Sequence, residues 1–307
     1  MGMKHITVIG AGLMGQGIAQ LFAASGHKVI LHDVSQESLQ RAQLNIDKIC
    51  EQMESPAGTA DRIMVSTDLI EAVGEADLVV EAVSEKLDIK QAIFAALDAH
   101  SPSHAVLASN TSVIPISSIA EPVIDKSRVM GMHFWNPPYL VPLVEVVEIP
   151  ETNPERRDEM VNLLASVGQE PVVVHRDIPG FIGNRLQHAL KREAIALVAN
   201  GVCDAETVDK VIKLGFGSRL GVLGTLEQSD MVGLNLTLDI HNVIISDLDV
   251  SPGPHPYLER LVSEGNLGMK TGKGFYEWTD EKAAEVRNRL SEYLSQQRNK
   301  RPRSTPD

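Results

Sequence analysis

The sequence predicts an α/β fold, a doubly wound and mostly parallel sheet followed by an all-helical C-terminal domain. Three observations carry this. Short apolar runs alternate with amphipathic helical stretches over the first half of the chain. Several of those runs are almost continuously apolar, as in strands covered on both faces. From Pro179 onward the pattern is almost wholly helical. At 307 residues the chain is long for a single core, which also argues for two domains.

The elements follow in order. Ile6–Ile9 is an apolar strand that breaks into Gly10-Ala11-Gly12-Leu13-Met14-Gly15 and leads into a helix reaching Ser25, with Gly26 at its C-terminal cap. In this G-x-G-x-x-G pattern Gly10 permits the tight turn, Gly12 lets a pyrophosphate approach the backbone, and Gly15 allows close helix–sheet packing. The helix from Leu13 turns free N–H groups and a positive dipole end toward the phosphates. A second strand, Lys28–His32, ends in Asp33, about where a carboxylate ~20 residues on accepts the adenosine ribose hydroxyls. Such a carboxylate repels a 2′-phosphate, so the reading is a Rossmann-type site for NAD rather than NADP. A glycine turn in some other βαβ unit is the bland alternative.

Ser35–Cys50 has helical spacing, and Ser55-Pro56-Ala57-Gly58 ends it. Strands are expected at Ile63–Ser66, Ala76–Val83 and Ala105–Ser109, with a helix at Leu87–His100 between the last two. Val129–Phe134 and Val141–Ile149 read as strands flanking the turn Asn136-Pro137-Pro138. A helix at Glu155–Val167 and a strand at Pro171–His175 complete the first domain. Helices are then expected at Phe181–Ala199, Asp204–Leu214, Gly233–Ile245 and Glu281–Gln297. The division is therefore residues 1–177, a dinucleotide-binding domain; 178–298, a helical substrate and dimerisation domain; and 299–307, a disordered tail.

Composition narrows the setting. Apolar content of 43% and charged content of 22% are ordinary for a globular protein, and no apolar run approaches the ~20 residues of a membrane span. A net charge of −13 argues against nucleic acid or an anionic membrane as partner. The first strand begins almost at once, leaving no room for a signal peptide. Cys50 and Cys203 are too few for a disulfide framework or metal cluster. The expectation is a cytoplasmic protein with a small-molecule substrate and no metal.

The sharpest chemical pattern is His133 with Glu145. On a strand Glu145 shares a face with Leu143 and Val147, and a carboxylate on an apolar face needs a partner. His133 closes the preceding strand, and the Asn-Pro-Pro turn lets the chain double back beside it. A carboxylate on one imidazole nitrogen fixes the tautomer and leaves the other as a general base. For a histidine by spacing alone, a satisfied core position is the alternative.

Six segments together resemble the L-3-hydroxyacyl-CoA dehydrogenase family: Gly10–Gly15, Ser109–Ser112, Met132–Pro137, Leu143–Val146, Pro179–Arg185 and Gly268–Tyr276. The resemblance implies a homodimeric, NAD-dependent oxidoreductase of fatty-acid metabolism. By it His133 is the base for the 3-hydroxyl and Glu145 its orienting partner. Ser112 bonds the reacting oxygen, Asn136 lines the pocket, and Asn184 holds the substrate from the second domain. Gly10, Gly12, Leu13, Met14, Gly15, Asp33, Glu85, Lys90 and Asn110 fall at cofactor positions. A helix-surface ion pair is the alternative for Glu85 and Lys90, and turn chemistry for Ser112 and Asn136.

The sequence departs from the family on one point. Acyl-CoA enzymes carry a lysine-rich segment after the second strand that meets the CoA phosphates. Here that region has Asp47, Glu51, Glu54 and Asp61 against Lys48 and Arg62. Phe134–Pro142 resembles relatives that oxidise small free acids, of the L-gulonate 3-dehydrogenase and λ-crystallin, carnitine dehydrogenase and pyridine-carboxylate dehydrogenase types. Three readings stand: a dehydrogenase of short-chain 3-hydroxyacyl-CoA, the same chemistry on a free hydroxy acid or related alcohol or aldehyde, and a non-catalytic NAD-binding structural protein.

Overall fold

The computed structural model describes residues 4–300. These residues form two compact units, residues 4–184 with 292–300, and residues 185–291. In the first, β1 (His5–Ile9), α1 (Leu13–Ala24), β2 (Lys28–His32), α2 (Gln36–Gln52), β3 (Ile63–Ser66), α3 (Leu69–Val73), β4 (Leu78–Glu81), α4 (Leu87–His100) and β5 (Val106–Ser109) alternate strictly. α5 (Ile116–Ile119), β6 (Val129–Phe134), β7 (Leu143–Val147), α6 (Pro154–Ser166) and β8 (Glu170–Val174) complete it. The eight strands lie in the order β3-β2-β1-β4-β5-β6-β7-β8. Every pairing is parallel except β6 with β7.

Two apolar layers cover the sheet. On one face Ile18, Phe22, Leu39, Ile46, Met160 and Leu163 bring α1, α2 and α6 onto the strands. On the other, Val73, Phe94, Leu97, Ile116 and Ile119 bring α3, α4 and α5. β4, β5 and β6 are buried along their whole length, as their continuous apolar runs require. Polar caps fix where helices start. Ser35 Oγ accepts from Ser38 N–H, Asp68 caps α3, and Asn153 caps α6 just ahead of Pro154.

Three strands are shorter than the apolar runs imply, β5 by the single residue Ala105. β4 spans Leu78–Glu81 rather than Ala76–Val83, because Val83 N–H turns to the Glu81 side chain instead of the ladder. β7 spans Leu143–Val147. The short helices α3 and α5 escape a periodicity test, having five and four residues.

The second unit holds most of α7 (Gly183–Ala199), then α8 (Ala205–Leu214), α9 (Thr225–Val232), α10 (Leu234–Ile244), α11 (Pro256–Ser263) and the start of α12 (Asp280–Asn299). Within it Tyr276, from the Gly268–Tyr276 segment, donates its hydroxyl proton to Asp209 at 2.7 Å. Burial and that carboxylate push the phenol's pKa up. α10 has no buried residue although it is largely apolar.

The turn at 178–184 belongs to the first unit, as does the end of α12. The Asp177 carboxylate accepts from Ile116 and Ser117 N–H, and Glu145 accepts from Ile182 and Gly183 N–H, which ties that turn to the sheet. The tail expected at 299–307 lies outside the described residues except for Asn299, the last residue of α12, and Lys300.

Candidate active site

The parallel strands place their carboxyl ends along one edge of the sheet, and the order reverses between β1 and β4. Ligands of such folds bind in the crevice at that reversal. The Gly10 turn after β1, Asp33 after β2, Glu85 after β4 and the 110–113 turn after β5 all sit on this edge. The β6 strand runs the same way and carries His133 one residue before its end there, and the antiparallel β7 brings Glu145 back beside it.

The glycines match the requirements of a dinucleotide. Gly10 has φ +105°, and a Cβ there would meet Ala82 O at 2.7 Å. A Cβ on Gly15 would sit 1.8 Å from Gly10 O. Gly12, at the head of α1, has nothing within 4 Å of its Cβ position, the open cradle a pyrophosphate needs. Leu13 and Met14 form the first turn of that helix. Asp33 accepts from Ala11 N–H through Oδ2 and from Ser35 N–H through Oδ1, both at 2.9 Å. The carboxylate is thus held beside the glycine turn with lone pairs left for ribose hydroxyls.

His133 and Glu145 are direct partners in the β6–β7 register. The Nδ1 of His133 lies 2.8 Å from Glu145 Oε2, and the two residues are 4% and 1% exposed. The other oxygen, Oε1, accepts from the N–H groups of Ile182 and Gly183, each at 3.0 Å. Burial alone raises the Glu145 carboxyl, but the histidine bond, the two N–H groups and the histidine's charge outweigh it and hold its pKa below the usual range. An ionised carboxylate only accepts hydrogen bonds, so Nδ1 carries the proton and Nε2 is the free basic nitrogen. The rings of Trp135 and Phe181 flank the imidazole at 5.3 and 5.8 Å between centroids.

The remaining residues group around the β5 turn. Asn110 accepts from Phe134 N–H at 2.8 Å, fastening the turn to the end of β6. Glu85 Oε1 accepts from the Thr111 hydroxyl at 2.5 Å and from the N–H groups of Ser112 and Val113 at 2.9 and 3.2 Å. Burial would raise its carboxyl, yet these donors and the Lys90 charge bring its pKa down. Asn184 donates to Ser112 O at 2.9 Å and is part of the first unit. Asn136 is exposed in the turn after β6, where its bond to Pro137 is cis.

Lys90 does not occupy the helix surface that a Glu–Lys pair on α4 suggests. It is 1% exposed, with Nζ 2.8 Å from Glu81 and 3.3 Å from Glu85. Its bearing on the cofactor site therefore runs through Glu85. Sequence reasoning passed over Glu81, Trp135 and Phe181. An acid inside an apolar strand was the available signal for Glu81.

A crevice built for NAD beside an ordered His–carboxylate pair defines a nicotinamide-dependent dehydrogenase acting on an alcohol. The comparisons give the family. The model of the 3-hydroxyacyl-CoA dehydrogenase NAD binding domain matches residues 5–178, and that of its C-terminal domain matches residues 180–278. The mitochondrial hydroxyacyl-coenzyme A dehydrogenase of Sus scrofa is 37% identical, over 90% of this chain and 91% of its own. The 5-formyl-3-hydroxy-2-methylpyridine 4-carboxylate 5-dehydrogenase of Mesorhizobium japonicum is 32% identical, over 91% and 92%. A solved structure of a 5-dehydrogenase of that pyridine acid, an NAD+ dependent dismutase, matches with TM-score 0.90 at 30% identity, covering 98% of this chain and 100% of that one. The chain belongs to the 3-hydroxyacyl-CoA dehydrogenase family, NAD-dependent enzymes acting on CH–OH groups.

Proposed function

We propose that this protein oxidises the 3-hydroxyl of an L-3-hydroxyacyl substrate, a short-chain acyl-CoA in the first instance, with His133 and Glu145 as the acid–base pair. The observation that carries the proposal is the 2.8 Å contact between His133 Nδ1 and a Glu145 carboxylate that backbone N–H groups hold from its other side. It leaves Nε2 to take the hydroxyl proton. Glu145 stabilises the imidazolium that results, and in the reverse direction Nε2 returns the proton to the carbonyl oxygen. NAD, when bound, supplies the hydride chemistry at C4 of its nicotinamide. Ser112 bonds the reacting oxygen, while Asn184 and Asn136 place the rest of the substrate. Gly10, Gly12, Leu13, Met14, Gly15, Asp33, Glu85 and Asn110 form the cofactor side, with Lys90 behind Glu85.

A second reading, a free hydroxy acid or related alcohol or aldehyde as substrate, is favoured by two observations. Asp47, Glu51, Glu54 and Asp61 are all exposed, a surface that repels CoA phosphates. The solved dehydrogenase of the pyridine acid matches with TM-score 0.90, against 0.73 for a solved 3-hydroxybutyryl-CoA dehydrogenase of Escherichia coli. NADH formation with 3-hydroxybutyryl-CoA, 3-hydroxybutyrate, carnitine and gulonate separates the readings. Turnover of the CoA ester supports the first, and turnover of free acids alone overturns it in favour of the second. Silence on the whole panel favours the non-catalytic NAD-binding reading.

The protein is further proposed to act as a cytoplasmic homodimer. On α10, Leu234, Leu236, Leu238, Ile240, Val243 and Ile244 are all exposed, so the helix leaves six large apolar side chains uncovered. A helix of that kind requires a partner surface. Among the described residues no helix is long and apolar enough to cross a membrane.

A further inference from the structure

Glu81 is fully buried at the end of β4 and touches neither His133 nor Glu145 in any hydrogen bond. Burying a carboxylate is unfavourable unless its lone pairs are met, and here they are. Oε1 accepts from Lys90 Nζ and from Val83 N–H, both at 2.8 Å, and Oε2 accepts from the Ser109 hydroxyl at 2.6 Å.

Both arms of this carboxylate lead to the same turn. Ser109 Oγ accepts in turn from Thr111 N–H at 3.2 Å. Lys90 reaches Glu85 at 3.3 Å, and Glu85 binds Thr111, Ser112 and Val113. The turn that carries Ser112 is therefore held from below through Ser109 and from the side through Lys90 and Glu85, with Glu81 as the common anchor. Lys90 is enclosed by the two acids and needs both charges to be buried without loss.

We infer that Glu81 is a positioning residue for the reaction: it sets the place of Ser112 relative to His133 through the Ser109 and Lys90–Glu85 arms. The inference rests on the proposed contact of Ser112 with the reacting oxygen. It assigns Lys90 a scaffolding charge rather than a cofactor contact. A buried network of this kind is rigid only when every member is paired, and misplacing a reacting group by about 1 Å costs about 10²-fold in rate.

The test is a double-mutant cycle of Glu81→Gln with Ser112→Ala, read as kcat for NADH formation on the best substrate of the panel above, with NADH affinity measured by fluorescence titration. Glu81→Gln is expected to lower kcat by about tenfold or more with less than a twofold change in NADH affinity, and to lower it far less in the Ser112→Ala background. A neutral pair, Glu81→Gln with Lys90→Met, removes both buried charges and serves if the single variant does not fold. The same dependence on Ser112 is expected of it. Equal losses in both backgrounds, or a loss confined to NADH affinity, overturn the inference. Unchanged activity of Ser112→Ala overturns instead the role given to Ser112, so the two failures are told apart.

Discussion

At the scale of single residues, the proposal turns on two carboxylates. Asp33 is held by the N–H groups of Ala11 and Ser35 and faces the crevice. In the proposed site Asp33→Ala would remove both the charge that repels a 2′-phosphate and the acceptor for the ribose. The ratio of kcat/KM for NAD over NADP should fall by about tenfold or more, the weight of one or two charge-assisted hydrogen bonds. An unchanged ratio removes Asp33 from that contact. Glu145→Gln keeps an acceptor for Ile182 and Gly183 but loses the charge opposite the imidazolium. It should lower kcat by about 10²-fold or more while NAD affinity stays near wild type. Much of this was legible in the sequence. A histidine ending one strand and an acid on an apolar face of the next could be paired by alternation and a turn. The aromatic flank from Trp135 and Phe181 was not, because the approach of residue 181 depends on a turn far along the chain.

At the scale of elements, the strand–turn–helix unit from β1 to α1 separates two glycines by mechanism. A Cβ at residue 15 collides with Gly10 O, whereas a Cβ at residue 12 enters open space. Gly15→Ala should therefore lower stability by about 1–3 kcal/mol, read as a fall in Tm of the free protein. Gly12→Ala should leave Tm unchanged and weaken NAD binding by about tenfold, or ~1.4 kcal/mol. Equal effects of the two on Tm would contradict the assignment. The carboxylates that tie elements together also set an acid limit. Glu85, Asp98 and Glu145 all have depressed pKa values, through hydrogen bonds and neighbouring cations that outweigh burial. A group whose folded value lies below its unfolded value contributes stability that is complete above the unfolded value, about 4 for carboxyls, and is lost as pH falls through the folded one. Tm should thus hold near neutrality and drop steeply below about pH 4. Glu145→Gln should show a shallower drop. The long elements were readable from periodicity and caps, with α4, β2, β3 and β6 ending where the pattern ends. The four-residue α5 has too few positions to show a period, and α10, where apolar and polar residues nearly alternate, gives no clear direction for an inner face.

At the scale of the whole molecule, fold, cofactor and reaction type follow from the chain, while the choice between a CoA ester and a free acid is left to the substrate panel. The homodimer proposed above would cover the exposed apolar residues of α10. Sedimentation should give twice the 33.4 kDa chain mass, and Leu238→Glu with Val243→Glu should give the single chain. A monomeric wild type would leave that face unexplained. The central claim is that His133, ordered by Glu145, moves the proton of the alcohol in an NAD-dependent oxidation. It is tested most directly by comparing NADH formation by wild type and His133→Gln, with NAD binding to both measured by calorimetry. His133→Gln should show a fall in kcat of about 10²- to 10⁴-fold with NAD affinity unchanged, whereas near-normal turnover would remove His133 from the reaction.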